Sequence, residues 1–369
     1  MSWFHSKRSE TEPGETNQTL TNADIRHHFL TGGTMRQCIL TVAQARAIIE
    51  EGHKLLLAGD ENVLRKLPKG NWIGGTIPYF ITHDQGGMMS RTALFATDIS
   101  DVVETMEIVR YDHNNLSKVF TDGADHSFSF IIIPARSIAH LAFALNAPRY
   151  QDFGKRPLVG WISGVHLDEL GEITPKVYNG TTGAAFSEGA LVLHADLIPG
   201  KAAKLGIINL FEQGDGDSLT FPVDGFSARV VFVNGEKDNL AAYITQNRLD
   251  TKLPLVANYN GIMANTSFQN VDDVSEEVTF YAPVFKDVVY KHARPVSNYE
   301  TAFKEHLGTK QQITEDKVVF SCNCILNYLY SGLEGKTTDP FSGPVTFGEI
   351  AAQLLNQTLI FLEILDDGQ

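Results

Sequence analysis

The segment that decides the fold class is SFSFIIIP at residues 127–134, followed directly by ARSIAHLAFALN at residues 135–146. The first segment is a short, continuous apolar run that Pro134 ends, which is typical of a buried strand. The second segment repeats its apolar residues at the spacing of a helix. Together they predict a buried β-strand that leads into an α-helix.

Strands predominate on both sides of this unit. PLVGWISG (157–164) and ALVLHADL (190–197) have the length and composition of strands, and FSARVVFVNG, VVFSCNCIL and TLIFLEIL follow later. Helical spacing predicts a helix over 42–53 with Thr41 as its N-cap, and a short helix in FGEIAAQLL with Thr346 as its N-cap. Because strands and helices follow in mixed order, the pattern favours an α/β or α+β fold with mixed, mainly antiparallel sheets flanked by helices.

Two short segments of the chain resemble each other. NWIGG at 71–75 is echoed by GWISG at 160–164, and each segment precedes a loop and a further strand. The echo suggests an internal duplication within one fold. We also expect the strand that begins at NWIGG to pair with TALFATDI around the turn at Gly86-Gly87.

Length and composition divide the chain into a tail and two halves. A chain of 369 residues with 43% hydrophobic residues can build a sizeable core and two or three domains. Residues 1–34 are polar and poor in large apolar side chains, so we expect a flexible N-terminal tail. The Pro199-Gly200 break predicts a two-lobed protein, with an N-terminal half over 35–196 and a C-terminal half over 197–369.

Charge and cysteine content argue against several partners. With 30 Lys and Arg against 44 Asp and Glu, the formal net charge is −14, which opposes binding to nucleic acid or anionic membranes. The N-terminus has no signal-peptide core, and no stretch approaches the roughly 18 apolar residues of a membrane span, so membrane insertion is not expected. Three cysteines are too few for a disulfide framework and indicate a reducing, cytoplasmic location.

Common catalytic and metal-binding motifs are missing from the sequence. The chain has no phosphate-binding loop, no G-x-S-x-G turn, no H-E-x-x-H and no paired C-x-x-C. No catalytic residue, metal ligand or cofactor is therefore assigned, and a non-catalytic protein is favoured over an unusual enzyme. Haem is the alternative cofactor, because His140 and His194 lie among apolar neighbours and an axial ligand needs an imidazole in such a pocket.

Polar residues near the C-terminus are candidates for the wall of a pocket. Cys322 and Cys324 lie two apart on a predicted strand, so their side chains share one face. Thr346 and Glu349 fit a capping box, which gives Glu349 a structural reading beside a ligand-facing one. Asn356 precedes the last strand, where its side chain can cap a turn or contact a ligand.

The C-terminal passage resembles the end of the FIST domain, named for F-box and intracellular signal transduction. That family's C-terminal half carries a Ser-Cys pair on a strand, a Gly-Glu-Ile stretch and an Asn-x-Thr before the last strand. The matching residues here are 321–322, 348–350 and 356–358. Upstream, WIGGTIPYF and the loop at 122–126 resemble the family's Gly-x-Thr strand and Asp-Gly loop, so that the resemblance covers residues 40–365.

The resemblance implies a divergent, stand-alone bacterial member of a family of sensory modules. Such a protein is non-catalytic and cytoplasmic, encloses a small, amino-acid-like ligand in a cleft between its two halves, and signals through a separate protein partner. The oligomeric state is left open. The candidate ligand contacts are Asp122, His126, Trp161, Cys322, Asn323, Glu349 and Asn356.

Three alternatives follow from the residues. A thiol-dependent enzyme would use Cys322 or Cys324 as its nucleophile and a histidine as its base. A haem-based gas sensor would use one histidine as the axial ligand. An interaction scaffold would bind no small molecule at all.

Overall fold

The computed structural model describes residues 36–124, 126–259, 262–296, 298–308 and 313–367. The tail predicted over 1–34 lies outside the described residues. The α-helices are α1 (Val42–Glu50), α2 (Glu61–Leu64), α3 (Ile138–Asn146), α4 (Leu240–Gln246), α5 (Tyr299–Gly308) and α6 (Ile325–Tyr330), and short 3₁₀ helices span Leu116–Phe120, Ala147–Arg149 and Leu167–Glu169. In the part of the chain that is described, no helix is both long enough and apolar enough to cross a membrane.

The strands, in chain order, are β1 (Gln37–Thr41), β2 (Leu55–Gly59), β3 (Trp72–Thr76), β4 (Tyr79–Thr82), β5 (Gly86–Met89), β6 (Ala93–Asp98), β7 (Val103–Tyr111), β8 (Ser127–Pro134), β9 (Leu158–Ser163), β10 (Val177–Asn179), β11 (Ala184–Phe186), β12 (Ala190–Leu197), β13 (Lys201–Ile208), β14 (Leu219–Thr220), β15 (Gly225–Ala228), β16 (Val230–Val233), β17 (Glu236–Asn239), β18 (Leu255–Tyr259), β19 (Ile262–Thr266), β20 (Phe268–Asp272), β21 (Glu277–Val284), β22 (Tyr290–His292), β23 (Val318–Cys324), β24 (Gly343–Thr346), β25 (Glu349–Ala351), β26 (Gln353–Leu355) and β27 (Leu359–Asp366).

The strand and helix predicted at 127–146 are β8 and α3. Ser137 is the N-cap of α3, and its hydroxyl accepts a hydrogen bond from the backbone N–H of His140 at 3.0 Å. The chain then returns as β9, which pairs with β8 in parallel. The α+β class with mixed, mainly antiparallel sheets is confirmed, since most neighbouring strands run antiparallel.

The same six-stranded sheet is built three times. The first has the order β1-β6-β2-β3-β10-β11, the second β7-β12-β8-β9-β25-β26 and the third β13-β27-β23-β24-β4-β5. In each sheet the third and fourth strands are parallel and the other neighbours are antiparallel. The three sheets show that the suspected duplication is a triplication. The echo between residues 71–75 and 160–164 falls on the equivalent strands β3 and β9 but is shifted by three residues, because Gly75 and Trp161 occupy the same position opposite the exchanged hairpins.

Each of the three units gives its hairpin to a neighbour. The hairpin β4–β5 of the first unit pairs with β24 of the third, β10–β11 of the second with β3 of the first, and β25–β26 of the third with β9 of the second. The exchange closes the units into a ring. The expected pairing of TALFATDI with the NWIGG strand is therefore wrong, because β6 inserts between β1 and β2.

The third unit contains an insertion between β13 and α5. We call residues 209–296 the insert lobe; its two sheets have the orders β17-β16-β14-β22-β18-β19 and β15-β21-β20. Together with α4 they enclose a hydrophobic core of their own. The N-terminal half predicted over 35–196 thus contains two units, and the half over 197–369 contains the third unit and the lobe.

One hydrophobic core fills the centre of the ring. Leu56, Phe130 and Phe320 bring the first, second and third sheets into it, respectively. Trp161 stacks on Phe320 at a centroid distance of 5.7 Å, and Phe130 meets Phe320 edge-on at 4.8 Å. Helices α1 and α2 cover the outer face of the first sheet, and α3 covers that of the second. The central strands of these two sheets, β2, β3, β8 and β9, are consequently buried on both faces.

Burial on both faces explains which helix prediction fails. The helix predicted at Thr41 is present, with both hydrogen bonds of a capping box between Thr41 and Gln44. The helix predicted in FGEIAAQLL is wrong, because this segment forms the hairpin β25–β26 around Ala352, whose φ is +60°. A strand buried on both faces loses the alternation that distinguishes it from a helix.

The exchanged hairpin of the first unit offers a test of the ring. Gly87 donates its N–H to Lys336 O at 3.0 Å and accepts from Gly335 N at 2.8 Å, and a Cβ at this position would clash with the carbonyl of Leu333. We expect Gly87→Ala to lower the free energy of unfolding by about 1–3 kcal/mol in urea titrations, because an overpacked contact forces the backbone apart. Gly216→Ala is the matched control, since a Cβ at Gly216 meets no atom within 4 Å. Equal stability of the two variants would contradict the exchanged pairing.

Candidate functional site

An open cleft lies at the carboxyl ends of β2 and β3, the edge at which α/β proteins commonly bind ligands. Its volume is about 260 Å³. Three segments form its walls, 60–65, 76–78 and 164–174, and we call it the Asp60 cleft. The seven residues predicted from the sequence as ligand contacts lie elsewhere.

The hairpin exchange explains why a cleft opens at this boundary. Residues 164–176 carry the chain from β9 to the exchanged hairpin β10–β11 and pass the end of β3 on the way. The equivalent linkers, 77–78 and 347–348, have two residues each. At the boundary between the second and third units, the ring of Phe347 packs against Gly164, so that side-chain atoms occupy the space beside β9.

Two carboxylates of the cleft are neutralised by neighbouring cations. Glu169 Oε1 forms an ion pair with Arg91 Nη1 at 2.7 Å, and Glu61 forms one with Lys176. Lys176 is fixed in turn, because its backbone N–H donates to the hydroxyl of Thr76 at 2.9 Å. These pairs leave two charged residues of the cleft wall to be considered.

The two remaining charges have opposite signs. Asp60 follows β2 as the N-cap of α2, where its Oδ1 accepts a hydrogen bond from Asn62 N at 2.8 Å, and it is only 7% exposed. Arg65 follows the last turn of the same helix and is exposed. Neither Asp60 nor Arg65 forms an ion pair with any described residue. Arg91, the ion-pair partner of Glu169, also attracts Asp60 electrostatically, so the charge of Asp60 is balanced in part and without a direct contact.

An apolar surface completes the wall between these charges. Its side chains belong to the end of β3 and to the linker after β9, and they are Ile77, Pro78, Val165 and Ile173. A few charged groups set in an apolar wall are the usual arrangement of a small-molecule site.

A second cluster of polar residues is buried beside the end of β23. Glu349, at the start of β25, is 0% exposed, and its Oε2 accepts hydrogen bonds from the backbone N–H and the hydroxyl of Thr358 at 3.2 and 2.9 Å. The hydroxyl of Thr346 lies 3.4 Å from Oε1. Burial raises the pKa of Glu349 to about 8, although the hydrogen bonds from Thr358 lower it. The carboxyl group is therefore predominantly protonated at neutral pH.

The two cysteines of this cluster are buried. Cys322 and Cys324 share one face of β23, as the sequence predicts, and both side chains lie in the ring core. Burial raises the pKa of each thiol well above its ordinary value. A thiol that stays protonated and out of reach of solvent is a poor nucleophile.

Two asparagines connect the cluster to its surroundings. Asn323 Oδ1 accepts hydrogen bonds from Cys324 N at 2.8 Å and from Asn327 Nδ2 at 3.0 Å. Asn356 Oδ1 accepts from Ser267 N of the insert lobe at 3.3 Å. The structure thus brings together Cys322, Asn323, Glu349 and Asn356 of the seven predicted contacts, in a cluster that solvent does not reach.

The other three predicted contacts lie apart from this cluster and from the cleft. Trp161 is buried in the ring core, where it stacks on Phe320. Asp122 is exposed and accepts a hydrogen bond from the Tyr111 hydroxyl at 3.0 Å. The side chain of His126 is exposed as well, and its backbone carbonyl accepts from the N–H of Leu197.

The histidines considered as haem ligands are buried parts of the second unit. Both ring nitrogens of His194 have partners, the Tyr111 hydroxyl and the Ser129 hydroxyl, each at 2.8 Å. The Nδ1 of His140 accepts a hydrogen bond from Arg136 N. Burial lowers the pKa of both histidines to about 4. Within the described ranges, no group of three His, Cys, Asp or Glu residues is placed to hold a metal ion.

The sequence contains a signal for the cleft that motif searches miss. Asp60 ends a fully buried strand and starts a helix, and polar residues at that position of an α/β unit lie at its ligand-binding edge. Nothing in the sequence indicates that residues 164–174 pass this edge, because their position depends on the exchanged hairpin.

Fold and site define a three-unit α+β protein with an open, charged cleft at the boundary of its first two units. The chain matches a family of unknown function, DUF6976, over residues 40–365, and it belongs to that family. A comparison with curated proteins finds no match. The cleft itself must therefore indicate the function.

The buried carboxyl group gives a pH-dependent stability. Between the ordinary pKa of 4.5 and about 8, the folded protein holds a proton on Glu349 that the unfolded chain releases. The free energy of unfolding therefore falls as pH rises across this window, by up to about 1.4 kcal/mol per pH unit. We expect Glu349→Gln to lose this component in urea titrations between pH 5 and pH 8.

The hydroxyl of Thr358 provides a second variant. Thr358→Val removes a hydrogen bond to the charged carboxylate, so the pH-dependent window should extend to higher pH. Parallel stability profiles of the wild type and Glu349→Gln would show that the carboxyl group ionises freely in the folded protein.

Proposed function

We propose that this protein is a non-catalytic sensory protein that binds a small, zwitterionic, amino-acid-like ligand in the Asp60 cleft. The observation that carries the proposal is that Asp60 and Arg65 lie on the wall of one cleft and that neither forms an ion pair with a described residue. A ligand with one ammonium and one carboxylate group would compensate both charges at once.

The chemistry of the two side chains supports opposite ends of such a ligand. Asp60 is held rigidly as a helix cap, so its carboxylate accepts hydrogen bonds from an ammonium group with little loss of entropy. The planar guanidinium of Arg65 suits a carboxylate, to which it can donate two parallel hydrogen bonds. The ion pairs at Glu61 and Glu169 limit the attraction of further charges.

Size and polarity of the cleft narrow the ligand further. Its volume of about 260 Å³ lies just below the roughly 300 Å³ at which pockets for drug-sized ligands begin. The apolar wall of Ile77, Pro78, Val165 and Ile173 favours an aliphatic side chain over a charged one. An aliphatic amino acid satisfies all of these features.

The cleft also supports a route for the signal. Its walls belong to the first unit and to the linker 164–176 of the second, so a bound ligand would contact both. Preferential binding to a closed linker would shift the population towards that state, which a separate protein partner could recognise. The ligand position that we propose lies between the first two units, whereas the resemblance to the FIST family implies a cleft between halves that meet near residue 196.

The cellular location of the protein and the choice between a binding protein and an enzyme form part of the same proposal. The described cysteines Cys38, Cys322 and Cys324 are free thiols, which fits a reducing, cytoplasmic location. The residues that line the cleft include no cysteine and no histidine. This agrees with a sensory role of the FIST type, in which the protein binds its ligand without acting on it. The thiol-dependent enzyme loses support, because its candidate nucleophiles are buried away from solvent.

Isothermal titration calorimetry with the aliphatic amino acids tests the proposal. L-leucine can be compared with 3-methylbutylamine, which lacks the carboxylate, and with 4-methylpentanoate, which lacks the ammonium group. We expect Arg65→Ala and Asp60→Asn each to weaken binding of the amino acid by about tenfold or more, as for a lost charge-assisted hydrogen bond. Asp60→Asn retains the helix cap, so the loss would report the charge alone.

Arg46→Ala is the matched control. Arg46 is an exposed arginine of α1 that pairs loosely with Glu50, outside the cleft. Binding should be unchanged in this variant. If no aliphatic amino acid binds, or if both cleft variants bind as the wild type does, the assignment of the ligand to this cleft is wrong.

A further inference from the structure

The outer face of α3 carries an apolar stripe. Ile138 is 56% and Leu141 42% exposed, and Ala142 and Leu145 are half-buried on the same side. These four residues, at i, i+3, i+4 and i+7, form one continuous face of the helix, which we call the α3 stripe.

The inner face of the same helix is apolar as well. Ala139, Phe143 and Ala144 pack into the core that covers the second sheet, and His140 is the polar side chain among them. A helix that is hydrophobic all round belongs in the interior of a structure. The α3 stripe therefore has the composition of a surface that is covered.

Charged residues of opposite sign lie at the two ends of the stripe. At the N-terminal end, the carboxylate of Glu188 accepts a hydrogen bond from Ile138 N at 3.1 Å. At the C-terminal end, Arg149 lies one turn beyond Leu145, with its side chain 62% exposed, and pairs with Asp224 at 2.6 Å. Asp224 accepts from Nη2 of Arg149, and the guanidinium has further N–H donors that an exposed side chain can offer to a second partner. The order along the surface is thus acid, apolar stripe, and an exposed guanidinium that is already shared with one carboxylate.

A surface with this order of charges is complementary to the same surface of a second copy that is rotated by 180°. We propose that the α3 stripe is the contact of a homodimer, in which two copies of the chain pack α3 against α3 in antiparallel orientation about a two-fold axis. Each end then brings Glu188 of one copy to Arg149 of the other, and both pairs form at once. Ala142 near the middle allows the helices to approach closely, and the larger side chains at 138, 141 and 145 interdigitate.

The contact is small for a permanent complex. One short helix with its flanking residues covers less than the roughly 800 Å² per partner of a standard interface. The dimer is therefore in rapid, concentration-dependent exchange with the monomer. It is independent of the Asp60 cleft, since no residue of α3 lines that cleft.

Sedimentation velocity of the full chain over a range of concentrations tests the dimer. We expect the mass-average to rise from monomer towards dimer in the wild type, and Leu141→Glu to raise the dissociation constant by at least about tenfold. Val274→Glu is the matched control: Val274 is an apolar side chain of the insert lobe, 96% exposed and outside the stripe. This variant should associate as the wild type does.

A charge reversal distinguishes a self-contact from other occupants of the stripe. Arg149→Glu should weaken association. The double variant Arg149→Glu with Glu188→Arg should restore it, because position 149 of one copy meets position 188 of the other and the two charges are again opposite. A partner that is not a copy of this chain would not carry the compensating change. A wild type that stays monomeric at every concentration overturns the proposal. So does a Leu141→Glu variant that melts earlier with unchanged mass, since a segment of the same chain would then cover the stripe.

Discussion

The exchange of hairpins between units is the constraint on which the rest of this structure depends. Each six-stranded sheet has two strands from another unit, so none of the three sheets is complete until the ring has closed. The exchange brings the backbones of different units into contact. Gly87, for example, donates its N–H to the carbonyl of Lys336 and lies against the carbonyl of Leu333. It also determines where a cleft can open, because residues 164–176 are the one long linker among the three that carry hairpins.

The third hairpin connects the ring to the insert lobe through the buried polar cluster. Glu349 begins that hairpin and holds Thr358, while Asn356 and Gln357 in the same loop bond to Asn265 and to Ser267 of the lobe. The loop is thus fixed from both sides, and φ at Gln357 is +50°. A neutral carboxyl group suits this position, because an ionised one would be costly in a site closed to solvent.

The sequence predicts those parts of the fold that interactions between neighbouring residues determine, and it misses those that depend on distant segments. β8, α3 and β9 are predictable because a local apolar pattern and Ser137 specify them. The triplication leaves no residue-by-residue signal in the sequence, because the echo falls on the equivalent strands β3 and β9 three residues out of register. The third equivalent strand, GPVT, has nearly no residue in common with them. The exchange of hairpins leaves no local sequence pattern. In FGEIAAQLL the sequence wrongly predicts a helix, because strands buried on both faces lose the alternation of apolar and polar residues. Asp60 and Arg65 are predictable as helix ends, but their common cleft depends on the distant residues 164–174.

Hydrogen exchange measured by mass spectrometry on the native protein tests the closed ring most directly. If the hairpins complete the sheets, amides of β4–β5, β10–β11 and β25–β26 should be protected like those of β2, β8 and β23, and should become exposed in the same opening. Hairpins that exchange through local openings of low free energy, while the central strands stay protected, would show that the units are complete without them and would contradict the ring.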